Sequence, residues 1–91
     1  MEPLAESATP ALRALLESQP NTTAKVSFAW SIAAGRTLAG GGTPVWSHDG
    51  TLFVRARTDA WRQEIRRARP QLLQRLRYLL GSDVVRRIEV T

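Results

Sequence analysis

At 91 residues, 43% of them hydrophobic, the chain is long enough to bury one core and too short for an enzyme with a deep enclosed cleft. The 13 Lys and Arg outweigh the 8 Asp and Glu to give a net charge of +5, and Lys25 is the only lysine. The charge is thus carried by arginine, whose planar fork suits phosphate and carboxylate, although a GC-rich genome would enrich arginine too. The absence of cysteine excludes disulfides and thiolate metal sites, and no run reaches transmembrane length, so a cytoplasmic protein without a membrane partner is expected.

In chain order, residues 1–8 are acidic and unpatterned and read as a flexible N-terminus. Thr9 and Pro10 form a cap and first-turn pair for an accessory helix over 9–18, with Leu12, Leu15 and Leu16 on one side. Residues 19–23 (QPNTT) form a linker in which Thr22 or Thr23 can cap the next helix, so the main domain spans 24–91. The helix from Ala24 to about Arg36 is apolar on two sides: Val26, Trp30 and Ala33 on one, Phe28, Ile32 and Gly35 on the other. The second side is expected to meet the N-terminal helix, a second copy or another protein. Leu38 to Gly42 reads as a flexible exit.

Thr43 to His48 reads as a strand that Pro44 restricts to an edge or a strand start, and Asp49-Gly50 as a two-residue hairpin turn. That turn predicts Trp46 opposite Phe53 and Val45 opposite Val54. The outward face then carries Trp46, Phe53, Arg55 and Arg57, and the inward face Val45, Leu52, Val54 and Ala56. Thr58 or Asp59 caps the following helix, which has Trp61, Ile65 and Ala68 on one stripe and Arg62, Arg66 and Arg69 on the next. Pro70 predicts a break into helices 59–69 and 70–80, with Leu72, Leu76 and Leu79 continuing the apolar stripe and Gly81 as the stop. A last strand lies in Val84 to Thr91, with Ile88 and Val90 inward and Arg87 and Glu89 outward. The fold class is therefore α+β: a three-stranded mixed sheet with helices packed on one face, plus a short N-terminal helix.

His48 is the only histidine, so neither a histidine metal pair nor a histidine relay can form. Gly40-Gly41-Gly42 is followed by Thr43-Pro44 with no lysine nearby, which rules out a phosphate loop. Asp59 and Glu64 are accounted for as helix cap and first-turn charge. A non-enzymatic binding protein with no cofactor and no metal is expected. Arginines interleaved with aromatics suit single-stranded nucleic acid, cations taking phosphates and rings stacking on bases. The alternative is that Trp46 and Phe53 seat the N-terminal helix while the arginines form a solvated rim. Arg62, Arg66, Arg67 and Arg69 crowd into two turns with Glu64 between them, which favours an anionic partner. The phosphate-binding candidates are Arg55, Arg57, Arg62, Arg66 and Arg69; the partner-contact candidates are Trp30, Trp46 and Phe53.

From Trp30 to Val90 the chain resembles the DciA family, the bacterial replicative-helicase operator or loader proteins. The resemblance rests on an ordered string: Trp30 and Gly35, Thr43-Pro44, then Gly50-x-Leu52-x-Val54. It continues through Thr58-Asp59-Ala60-Trp61-Arg62-Gln63-Glu64-Ile65, Pro70-x-Leu72-Leu73-x-Arg75-Leu76, Leu80-Gly81 and the closing strand Val85 to Val90. It implies a KH-like domain of type II order, helix, strand, strand, helix, helix, strand (αββααβ). It also implies a nucleoid-associated adaptor of replication initiation that binds the hexameric replicative DNA helicase and single-stranded or origin DNA and helps recruit or load the helicase. Ala68-Arg69-Pro70-Gln71 stands where a nucleic-acid-gripping KH domain has Gly-x-x-Gly, so the usual RNA grip is not expected. The competing readings are an RNA-associated, ribosome-linked KH-like module and a domain that self-associates as a homodimer through its open sheet face.

Overall fold

The computed structural model describes residues 3–91, with side chains from Pro10 onward. Its elements are α1 (Pro3–Glu17), α2 (Thr23–Ala39), β1 (Gly42–Trp46), β2 (Thr51–Ala56), α3 (Asp59–Leu80) and β3 (Arg87–Val90). The sheet order is β1-β2-β3, with β1 antiparallel and β3 parallel to β2. The fold is thus α+β with a three-stranded mixed sheet, as expected. The main domain departs from the predicted element order, since one helix stands where two were expected.

That helix is α3, which runs through Pro70 without interruption. An interior proline costs about 3 kcal/mol through its missing N–H and ring clash. Against it, the stripe Ile65, Leu72, Leu76 and Leu79 is buried on both sides of the proline, and each such side chain contributes about 1.5–3 kcal/mol. Burial outweighs the local defect, so the predicted break does not form. The ends follow local chemistry: the Trp61 N–H donates to Thr58 Oγ1 at 3.1 Å, and Gly81 leaves the helix at φ 93°.

The hairpin also differs from expectation. Ser47 and Thr51 close a three-residue loop, His48-Asp49-Gly50, in which the Gly50 N–H donates to the Ser47 carbonyl and only Gly50 has positive φ, at 97°. A two-residue turn would require positive φ at Asp49 as well. The longer loop shifts the register by one residue. Val45 stands opposite Phe53, Trp46 opposite Leu52 and Pro44 opposite Val54, so Val45 and Trp46 exchange faces relative to the prediction.

Leu52, Val54, Ile88 and Val90 line the inner sheet face under α3, joined by Val26, Ala29, Trp30 and Ala33 of α2. The Val26 side of α2 is therefore the core side, and Phe28 stays 47% exposed. Helix α2 kinks at Gly35 (φ 76°, ψ −178°), and Arg75 of α3 donates to the Ala33 carbonyl at 2.9 Å beside the kink. Of the predicted N-terminal segment 1–8, Met1 and Glu2 lie outside the described residues, and the helical backbone begins at Pro3 rather than at the Thr9 cap. Helix α1 packs on α3 through Leu16 and Leu12, with Arg13 Nε donating to the Tyr78 carbonyl at 2.9 Å. Among the described residues, its packing is on α3, and Phe28 and Phe53 stay exposed. Gly41 and Gly42 are buried, not a flexible exit: a Cβ on Gly41 would collide with the Trp61 ring, and one on Gly42 with Val54.

Candidate nucleic-acid interface

The period-two alternation of β2 fixes one side of the site. Leu52 and Val54 point into the core, which turns Phe53 and Arg55 outward. Phe53 is 40% exposed beside Val45 at 56%, Arg55 stands opposite Thr43, and Glu89 of β3 lies on the far side of Phe53. An exposed apolar pair is thus flanked by an arginine on one side and the Arg87–Glu89 strand on the other.

Two predicted contact residues are not on this face. Trp46 lies on the inner side, half-buried, with its indole N–H donating to the Val84 carbonyl at 2.8 Å and its ring tilted against His48 at 4.5 Å between centroids. Its displacement is a direct consequence of the one-residue register shift. Trp30 is 2% exposed within the core, its indole N–H without a partner among the described residues. Trp30 is enclosed by the core and Trp46 is half-buried on the inner side, so Phe53 is the member of the predicted aromatic set that stands on the outer sheet face.

The predicted arginines separate by the partners they already hold. Arg62 is paired with Asp59, and Arg67 with Glu64 at 3.3 Å, so the crowded helix has two counter-ions rather than the one expected. Arg57 secures the glycine loop, its N–H donating to the Gly41 carbonyl at 2.9 Å and its guanidinium to the Gly40 carbonyl at 3.0 Å. Arg55, Arg66 and Arg69 are exposed and hold no ion pair among the described residues. Arg69 shares a hollow of about 400 Å³ with Pro70, Leu73, Arg87, Ile88 and Glu89. Arg87 therefore links the helix arginines to the outer sheet face, a role that the sequence did not single out. The outward position of Arg87 in the closing strand was the available signal.

Arg87 also lies 3.8 Å from Asp49. The Asp49 carboxylate accepts the Thr51 N–H at 2.9 Å. That bond first, with a Thr51 side-chain hydrogen bond next and smaller help from Ser47 and Arg87, holds its pKa below the ordinary 3.8 against a small opposing desolvation. A second hollow, of about 590 Å³, lies between the end of α2 and α3, lined by Thr37, Leu38, Glu64, Arg67, Ala68, Pro70 and Gln71. Among the described residues no cluster of His, Asp or Glu is arranged to hold a metal, and no helix is long and apolar enough to cross a membrane.

Relatives of this chain include UPF0232 proteins of Mycobacterium tuberculosis and Mycobacterium bovis, each 36% identical over 62 residues, covering 68% of this chain and 33% of the relative. The corresponding protein of Mycolicibacterium paratuberculosis is 31% identical over 62 residues, 68% of this chain and 34% of its own. The chain thus spans about a third of the length of the curated relatives it matches. No solved structure matches it significantly. The family described as "Dna[CI] antecedent, DciA" matches residues 3–90, nearly the whole chain, and on that match the chain belongs to the DciA family.

Proposed function

We propose that this domain is a non-enzymatic adaptor of DNA replication initiation, which contacts the replicative helicase and DNA and helps recruit or load the helicase. The observation that carries the reading is the DciA match over residues 3–90. The geometry adds a means of holding DNA. Arg55 lies on the outer sheet face with Phe53 and Val45, Arg69 and Arg87 line one hollow between α3 and β3, and Arg66 is exposed one turn earlier on α3. Phosphates bind the arginines and a base stacks on Phe53. The unbroken course of α3 through 68–71 offers no loop for an RNA grip of the KH kind, which favours DNA over the RNA-associated reading.

The test is single-stranded DNA binding over a salt series, with and without the host's replicative helicase. Replacing Arg55, Arg66 and Arg69 together by Gln is expected to weaken binding and to flatten the slope of log K against log salt by about 2, at about 0.7 for each phosphate no longer neutralised. Arg62→Gln, whose side chain is already engaged by Asp59, is expected to change the slope least. An unaltered slope in the triple variant removes DNA from this surface. Failure of the helicase to retain the wild-type domain in a pull-down removes the adaptor role.

A further inference from the structure

The sheet has two free edges, and they are not equivalent. Along β1 the backbone groups turned away from β2 belong to Gly42, Pro44 and Trp46, because Ser47, Val45 and Thr43 face the hairpin partner. Pro44 has no N–H, so this edge lacks its central donor. Along β3 the Arg87 N–H donates to Gly50 and the Thr91 N–H to Val54, while the Thr91 carbonyl accepts from Ala56. The parallel alternation therefore turns Arg87, Glu89 and Thr91 toward β2 and leaves the N–H and C=O of Ile88 and Val90 turned away from it, at residues that are themselves 3% and 7% exposed. Among the described residues no strand pairs there. Edges of this kind are templates for another strand unless something covers them.

We propose that the β3 edge is a homodimer interface, on which β3 of a second copy pairs antiparallel about a two-fold axis through Ile88. The residue pattern specifies this occupant and this register. Antiparallel pairing must bring the free groups of both strands together, so Ile88 faces either Ile88 or Val90 of the second copy. With Ile88 opposite Val90, Glu89 would face Glu89. With Ile88 opposite Ile88, Arg87 faces Glu89 of the second copy, twice by symmetry, and opposite charges directly across a strand pair are stabilising. Both side chains are exposed on the outer face. Arg87 has only the 3.8 Å contact with Asp49 to give up, and Glu89 has no ion pair among the described residues. The two sheets then become one, and the Phe53 and Arg55 faces of both copies lie on the same side of it. Arg69 flanks the adjoining hollow. The edge strand is short, which places the contact among weak, transient interfaces.

The experiment is sedimentation equilibrium of the whole chain across roughly 10 µM to 1 mM, with circular dichroism to verify that each variant folds. Wild type is expected to move reversibly from monomer towards dimer. Arg87→Glu and Glu89→Arg each set like charges opposite one another at both pairs. Each variant alone is expected to associate about tenfold more weakly. Mixed together, the two variants are complementary. The chain carrying Arg87→Glu is acidic at both outward positions of β3, the chain carrying Glu89→Arg is basic at both, and the mixture is expected to recover association to within about threefold of wild type. A wild type that stays monomeric throughout overturns the proposal, as does association that both variants leave unchanged. Loss of association in Phe53→Ser with the charge variants unaffected overturns it too, in favour of the outer sheet face.

Discussion

At the scale of single residues, Asp49 couples the hairpin to pH. Its carboxylate accepts the Thr51 N–H, and its pKa is lower in the folded chain than the ordinary 3.8. A carboxylate with a depressed folded pKa contributes stability that is fully present above the unfolded value and is lost as pH falls through the folded one. Acidification from about pH 5 to below the ordinary aspartate value is therefore expected to lower the midpoint of thermal unfolding. Asp49→Asn, which retains an acceptor without the charge, should flatten the Asp49 part of that decline. Parallel melts of the two proteins from about pH 2 to pH 6 check it, and superimposable pH profiles would show that the turn does not contribute. The same residue marks where local chemistry misleads. Asp-Gly is the dipeptide of a two-residue turn, but Asp49 keeps a negative φ and uses its side chain as an acceptor, so the loop takes three residues and the register moves by one. Nothing in the flanking alternation opposed either register, since Val45 and Trp46 are both apolar.

At the scale of elements, α3 shows where a local rule yields to burial. Pro70 deprives the helix interior of one N–H donor and leaves the Arg66 carbonyl without its usual intrahelical partner. The apolar stripe on either side was plain in the sequence; its power to hold one continuous helix was not, because that depends on the sheet and α2 lying against it. Pro70 is exposed, so Ala there restores the backbone donor without disturbing the core. Pro70→Ala is expected to stabilise the fold by about 1–3 kcal/mol, since the unfolded chain's gain in freedom offsets part of the restored helix energy. Urea unfolding with an unchanged m-value measures it. A destabilised variant would mean that the proline shapes α3 for packing beside β3. Helix caps and the β2 alternation were legible because each is set by neighbours in sequence: Thr22 and Thr58 cap as expected, and Leu52 and Val54 point inward.

For the whole molecule, what sequence could not locate was the docking of surplus apolar surface. Helix α2 offered two apolar sides and α1 one, and the choice among them depends on the tertiary arrangement: the Trp30 side went to the core, α1 went to α3, and the outer sheet face stayed open. This decides which candidate residues are accessible, since Phe53 remains exposed only because α1 sits elsewhere. It also yields a test that does not touch the proposed DNA contacts. Among the described side chains of α1, Leu16 is the one within the buried core, at 4% exposed, so Leu16→Ala removes an anchor of α1 at a cost of about 2–5 kcal/mol. Because the described contacts of α1 are with α3, near Tyr78, and not with the strands that carry Phe53 and Arg55, the folded variant is expected to bind single-stranded DNA within twofold of wild type, measured well below its lowered thermal midpoint. If α1 instead covered the outer face in solution, freeing it would unmask Phe53 and affinity would rise several-fold. Anisotropy titrations of both proteins at one salt concentration separate the two arrangements, since loosening α1 changes affinity only where α1 competes with DNA.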